Sequence, residues 1–406
     1  MTSDDCDILI AGGGLVGLSL ALALSGSGLR VAVVDRVPMT TGARAADERH
    51  LALSEVTCRV LENLGVLPAL GSDAEPIRAI HVSSAGEFGA ARWAAGDAGR
   101  SRFGMVVPAR RLLQALQQAV LARSELRVLA PAAVVDARID ADGVHATVAS
   151  DGAQPRSLRA RLLVIADGVD SALRDAAGIG TERHDYQRSA ICCALSPERD
   201  HQGTAFERFT RSGPVALLPQ AFGRCGAIQV VDNDQVEGLM ALPDDDYLRQ
   251  LQSAFGYRLG RLRRIGLRVS YPLRRVLAQR LTAPRQVLIG NAAQAVHPVG
   301  AQGFNLGLRD AATLADCLLD AHRAGGDPGD PALLQGYAAS RASDRTATTG
   351  LSHALAQFTS LKMPPAAWLR SLSLLAADRI EPLREHLMLG GMGYRGATPA
   401  LARGSR

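Results

Sequence analysis

The sequence predicts an α/β protein: a Rossmann-like dinucleotide-binding domain, a second part rich in β-strand, and a helical C-terminal segment. Three observations predict it. An apolar run at 6–12 leads straight into Gly12-Gly13-Gly14-Leu15-Val16-Gly17. Two further apolar runs end in a polar residue and a turn, at Asp167-Gly168 and at Asn291. From Pro331 onward strand signals give way to helical spacing.

Residues 6–12, CDILIAG, are short, apolar and rich in branched side chains, as a buried parallel strand requires. LVGLSLALALSGSG follows with helical character and stops at Gly26 and Gly28. LRVAVVD (29–35) is the second strand, and its Asp35 lies 18 residues past Gly17. Strand, glycine turn, helix, strand and acid in that order read as a dinucleotide cradle. Gly12 serves the tight turn, Gly14 lets the backbone approach a pyrophosphate, and Gly17 lets helix and strand pack closely. The helix start offers N–H groups to phosphate, and Asp35 accepts from a ribose. This motif alone does not separate FAD from NAD. Arg49 stands just before a helical pattern that ends at Leu64-Gly65, where it meets either a phosphate or solvent.

At about 150 residues per domain, a chain of 406 residues holds two or three units. With 47% hydrophobic and 21% charged residues, a disordered chain is excluded. Net charge is +5, and 45 − 1 = 44 of the cations are arginine, Lys362 being the one lysine. No arginine-rich tail or aromatic-interleaved basic stripe occurs, so no nucleic-acid partner is expected. The basic run from Arg258 to Arg275 reads as a solvated helix end or as a contact for anionic lipid headgroups. Six cysteines form no C-x-x-C pair, so no metal site is expected and the thiols are those of a cytoplasmic protein. The 22 uncharged residues between Asp7 and Arg30 approach membrane-spanning length. Three consecutive glycines and an acidic lead make them strand, turn and helix instead.

ARLLVIADGVDSALRDAAG (160–178) is a strand, a turn at Asp167-Gly168 and a helix carrying Ser171 and Arg174. In 285–321 the strand VLIG meets Asn291, His297-Pro298 leads a glycine-containing loop, and a helix begins near Phe304 with the stripe Leu308, Leu314, Leu318. Alternation in TAFERFT (204–210) and VALLPQ (215–220) suggests a sheet forming the floor of a substrate site. Trp368, Leu369, Leu372, Leu375 and Ile380 fall near helical spacing. Core packing, a partner surface and shallow membrane contact compete to explain them.

Together these segments resemble the class A flavoprotein aromatic hydroxylases. GNAAQAVHPVGAQGFNLGLRD, and HLMLGGMGYRGATPALARG at 386–404, most resemble the ubiquinone-biosynthesis branch, the 2-polyprenyl-6-methoxyphenol hydroxylases above all. The resemblance implies a p-hydroxybenzoate hydroxylase-like fold. Its FAD-binding domain would comprise 1–75, 102–185 and 271–330, its substrate domain 76–101 and 186–270, and its C-terminal helical region 331–406. It implies FAD, O2, and NAD(P)H or another electron donor. The implied reaction is ring hydroxylation of a polyprenylated (methoxy)phenol in ubiquinone biosynthesis, through a flavin C4a-hydroperoxide.

Carried over residue by residue, the resemblance gives Gly12, Gly14 and Gly17 the pyrophosphate, Asp35 the ribose and Arg49 the phosphate region. Asp167 and Gly168 would serve both FAD and nicotinamide, and Asn291 would replace an aspartate that meets the ribityl chain. Gly300, Gln302, Gly303, Phe304 and Asn305 would surround the flavin, with backbone N–H groups of 300–303 facing negative charge near N1. Many relatives carry an arginine where this chain has Ala109, with Arg110 and Arg111 beside it. His297 and Pro298 are the catalytic candidates, His297 as an acid or base, or as a loop histidine shaping the pocket. Other ubiquinone-biosynthesis proteins and the inner membrane's surface are the expected partners. The alternatives are an FAD hydroxylase of a different aromatic substrate and a flavin-holding scaffold without catalysis. A flavin halogenase would need a W-x-W-x-I-P motif, whereas Trp93 and Trp368 stand isolated.

Overall fold

The computed structural model describes residues 5–39, 47–297, 300, 302–360, 364–394 and 398–403. The strand Asp5–Ala11 lies between two parallel neighbours, Val31–Val34 and Arg156–Ile165. Leu126–Leu129 extends the parallel order on one side and Gln286–Leu288 on the other. Val31–Val34 is buried at every position, which suits a strand covered on both faces. The helix Leu15–Leu24 covers one face and brings Leu18, Leu20 and Leu24 to full burial against Ile8 and Ile10. Each such side chain contributes about 1.5–3 kcal/mol.

Local signals explain the helix ends. Ser54 caps the helix Glu55–Asn63 by accepting from the Thr57 N–H at 3.3 Å, and Gly65 follows with φ 74°. Ser171 caps Ala172–Ala176 in the same way, accepting from the Arg174 N–H at 3.0 Å.

A second, nine-stranded sheet stands beside the first. Its long strand Thr181–Pro197 pairs with Val269–Ala278 and with Arg224–Asp232. It runs across the expected division at 185/186, and its register shifts there, with Gln187 at φ 54°. The order continues through Pro214–Gln220, Thr204–Phe209, Ala79–Ser84 and Ala90–Ala94. Parallel pairing of Thr204–Phe209 with Ala79–Ser84 joins two stretches of chain far apart in sequence.

The helix Gln302–Arg323 starts two residues earlier than its sequence pattern suggests and packs on Leu15–Leu24 and on the long helix Pro331–Ser360. Arg309 and Arg341 lie buried between the two long helices with Asp310 and Asp344, in ion pairs of 2.8 Å each. Of the two C-terminal helices, Pro364–Arg379 packs on the outer strands Ala79–Ser84 and Ala90–Ala94, and Glu381–Gly391 packs on Pro364–Arg379. There the Trp93 Nε1–H donates to the Ala377 carbonyl at 3.2 Å, and Arg370 pairs with Glu87.

Two expectations are corrected. Trp368, Leu369, Leu372 and Ile380 are more than half exposed, so core packing does not explain them: the helix turns its smaller residues, such as Ser371 and Ala377, inward. The basic run 258–275 is not a helix end but a loop followed by strands Leu262–Arg263 and Val269–Ala278. Within it Arg263 pairs with Glu198, Arg274 with Asp170 and Arg275 with Glu182. All six cysteines are free thiols. Among the described residues no group of side chains is arranged to hold a metal ion, and no helix is long and apolar enough to cross a membrane.

Candidate active site

The glycine turn has the steric form of a cradle. A Cβ on Gly12 would lie 2.3 Å from the Ala166 carbonyl oxygen, and one on Gly17 would lie 2.0 Å from the Gly12 oxygen. Gly12 also has φ 120°. Both positions therefore exclude side chains. Around Gly14 nothing lies within 4 Å of where a Cβ would be, and no side chain caps the helix that starts there. Open space before uncapped N–H groups is what a pyrophosphate needs. Asp35 closes the turn: its carboxylate accepts from the Gly13 N–H at 2.5 Å and the Val37 N–H at 2.7 Å. These residues fit the adenine-dinucleotide half of FAD.

Other turns converge on this one. Gly12 approaches the backbone of Ala166 and Asp167, so the Asp167-Gly168 turn borders the cradle. Asp167 is open to solvent on one side, yet its remaining surroundings desolvate the carboxyl and raise its pKa above the usual range. Gly168 has φ 107° and open space around it. Gly290, Gly307 and Val16 meet closely: a Cβ on Gly307 would lie 2.9 Å from a Val16 methyl and 3.0 Å from the Gly290 Cα. Asn291 sits exposed in the short turn Gly290–Ala292.

The sequence shows Arg174 only as part of a helix, but in the structure it ties these turns to one another. Its guanidinium is completely buried and donates to the carbonyls of Val169 at 2.9 Å and Ala292 at 3.3 Å. Two partners so far apart in sequence leave no local signal.

Gln302, Gly303, Phe304 and Asn305 form the first turn of the long helix, with Gly300 just ahead. Gln302 Nε2 donates to the Gly300 carbonyl at 3.0 Å. Asn305 is a structural tie: its Oδ1 accepts from the Ser54 N–H and its Nδ2 donates to the Ala52 carbonyl, both at 2.9 Å. Arg49 is held by Asp47 and Tyr271. It is half-exposed, paired with Asp47 at 2.6 Å, and 5.5 Å from the centre of the Tyr271 ring. Ala109 is buried as the first residue of the helix Ala109–Leu121, and Arg111 points away to Asp73.

Two cavities flank this region. One, of about 1280 Å³, is lined by His184, Tyr186, Arg188, Asp232 and His297, with Leu351 and Leu355. His297 is buried, its ring edge-on to Tyr186 at 4.8 Å. Burial, helped by Arg188 and His353, pushes its imidazole down to about 4, so it is neutral at neutral pH. Pro298 lies outside the described residues. The other cavity, of about 440 Å³, lies between the outer sheet and the C-terminal helices. Gly300, Gln302 and Asn305 border it at one end; Ile80, Trp93, Leu218, Ile228, Leu374 and Met388 make most of it apolar. The sheet thus forms a floor, as the alternation at 204–220 suggested. Glu207, which that alternation did not single out, stands in it.

Residues 5–350 match the family described as "FAD binding domain", and the chain belongs to this class, the FAD-dependent aromatic monooxygenases. It is 39% identical to the ubiquinone hydroxylase UbiL of Rhodospirillum rubrum over 95% of this chain and 89% of that protein. It is 28% identical to the 3-demethoxyubiquinol 3-hydroxylase of Escherichia coli over 97% of this chain and all of that one (100%). Within the class it stands on the branch that holds the ubiquinone hydroxylases. The p-nitrophenol 4-monooxygenase PnpA of Pseudomonas putida shares the fold, with a TM-score of 0.80 across 97% of this chain and 99% of that one at 18% identity.

Proposed function

We propose that the chain hydroxylates the aromatic ring of a polyprenylated (methoxy)phenol in ubiquinone biosynthesis. The observation that carries this reading is the 440 Å³ apolar cavity bordered by Gly300, Gln302 and Asn305. An apolar site of that kind suits a phenol with an attached isoprenoid chain. The ubiquinone hydroxylases among the relatives support the same substrate class.

In this reading 1–75, 102–185 and 271–330 make the FAD-binding domain, 76–101 and 186–270 the substrate domain. Gly12, Gly14 and Gly17 take the pyrophosphate, Asp35 the ribose, and Arg49 the phosphate region after leaving Asp47. Asp167, Gly168 and Asn291 line the path of the cofactor, and the helix start at Gly300–Asn305 receives its ring system. Bound FAD supplies the activation of O2, with electrons from a reduced nicotinamide or another donor. The protein supplies the rest: apolar walls exclude water, the sheet floor orients the ring, and the partial positive charge of the helix start faces negative charge. His297, with Pro298 beside it, acts as a neutral imidazole, an acceptor rather than an acid. The exposed apolar face of Trp368, Leu369, Leu372 and Ile380 lies on helices that also wall the cavity, and there the protein meets the membrane that holds its substrate.

The test is turnover by purified, FAD-loaded protein with NADH, O2 and a short-chain prenylated phenol. A product carrying one more ring oxygen is expected. In a strain lacking the gene, a prenylated phenol short of one hydroxyl accumulates. Unchanged quinone levels in that strain, or donor oxidation indifferent to added phenol, overturn the reading.

A further inference from the structure

The cavity floor carries one group that apolar packing does not explain. Strand register sets Val82, Glu207, Ala216 and Ile228 side by side across four strands, and all four line the cavity. Three are apolar and the fourth is a carboxyl. Among the described residues that line this cavity, Glu207 is the one carboxylate. The other charged group there, Arg370, is already bonded to Glu87. Alternation along the strand sends Arg208 to the opposite face, away from the cavity. Glu207 is half-buried, facing the cavity, and has no hydrogen bond or ion pair in the described structure; the apolar surroundings push its carboxyl up to about 7.

A carboxylate without a partner in an otherwise apolar wall gains nothing from packing, where leucine or glutamine would fit as well. Packing therefore gives no reason for an acid at this position, whereas a ligand bearing an O–H does. We infer that Glu207 accepts the ring hydroxyl of the phenolic substrate and acts as the general base of the hydroxylation.

The step balances. As the ring carbon bonds to the oxygen delivered as an OH⁺ equivalent by the established activity, the phenolic O–H proton passes to the Glu207 carboxylate. This leaves a neutral carboxylic acid and a cyclohexadienone. The ring hydrogen at the attacked carbon then departs as a proton, the carboxylic acid returns its proton to the ring oxygen, and the ring is aromatic again. Removing the O–H proton pushes electron density into the ring at the moment of attack. The inference rests on the phenol reading above and deepens it.

The test begins with binding. Trp93 lines the cavity, so its fluorescence reports occupancy of the FAD-loaded protein by a prenylphenol bearing one isoprene unit, and by the methyl ether of the same compound. Above pH 7 the wild type should prefer the phenol by about tenfold or more, as for a hydrogen bond to a charged group. Glu207→Leu and Glu207→Gln should lose that preference while holding FAD. Both should also melt at higher temperature than the wild type, most clearly on the alkaline side where Glu207 is ionised. In turnover, Glu207→Gln should lower kcat/KM by about a hundredfold or more, with partial rescue by Glu207→Asp. The wild-type rise of kcat/KM with pH through about 7 should vanish in Glu207→Gln. Equal affinity of the wild type for phenol and ether overturns the inference, as does a Glu207→Gln enzyme that keeps its rate and its pH limb. If the phenol preference holds but no prenylphenol is hydroxylated, the proposed reaction falls and the binding role of Glu207 stands.

Discussion

The groove around His297 and the cavity around Glu207 share Leu351 and Leu355, yet their linings differ in kind. The larger space is edged by His184, Tyr186, Arg188 and Asp232, side chains that tolerate water and charge. The smaller is mostly aliphatic and aromatic, with Ser54, Gln302, Asn305 and Arg370 among its few polar residues and Glu207 as its one carboxylate among the described lining residues. Burial moves both ionisable groups toward neutrality: the imidazole falls to about 4 and the carboxyl rises to about 7. At neutral pH the first is settled as an uncharged ring, while the second stands at its balance point. The difference is one of lining: the proton acceptor inferred above lies on the apolar side, where Glu207 is the one carboxylate among the described lining residues.

Substitutions can break this contrast or sharpen it. The largest effect is expected from Asp344→Ala, because the helix carrying Leu351 and Leu355 is held by the buried Arg309, Asp310, Arg341 and Asp344 network. Leaving the buried Arg309 guanidinium without its carboxylate, and Arg341 with Asp310 alone, should cost about 3–5 kcal/mol in urea unfolding. It should loosen both cavities together; a stability within error of wild type would show that the network does not hold the wall.

Next, Ala216→Trp should fill the apolar cavity alone. FAD content should remain, while kcat/KM for a prenylphenol should fall by about a hundredfold. Unchanged turnover would place the substrate elsewhere.

A smaller effect should follow acidification. The His297 imidazole has a lower pKa folded than its unfolded value near 6.5. Its stabilising share is therefore complete above about 6.5 and is lost as pH falls through about 4, since the unfolded chain binds the proton first. On the order of 2 kcal/mol of acid sensitivity should disappear in His297→Gln, measured by unfolding at several pH values. An identical pH dependence in the variant would remove His297 from that account.

The smallest effect on stability belongs to the outside wall. Trp368→Ser with Leu372→Ser should change unfolding by less than about 0.5 kcal/mol per site. Co-sedimentation with anionic lipid vesicles should nevertheless drop. Undiminished vesicle binding would leave that face without a lipid role.

The parts legible in the sequence are those fixed by local chemistry. Gly12 and Gly17 announce close backbone contacts by lacking a side chain, and Asp35 announces the end of the second strand by ending an apolar run. Alternation in 204–220 predicts a sheet floor but not which side chains meet the cavity: Phe206 and Glu207, neighbours in the strand, both line it. The paired Arg309 and Asp344 are 35 residues apart, and no periodicity links them. Asn305 carries a tie that no local signal shows: its amide bonds the Ala52 and Ser54 backbone, 253 and 251 residues earlier in the chain. For Trp368 helical spacing leaves core packing, a partner surface and membrane contact open, because it identifies a face without saying what covers it.

The contact between Gly307, Gly290 and Val16 sets the spacing of two helix starts, those of Leu15–Leu24 and Gln302–Arg323. A methyl group at Gly307 would meet a Val16 methyl at 2.9 Å and the Gly290 Cα at 3.0 Å, so any larger residue there would push the two starts apart.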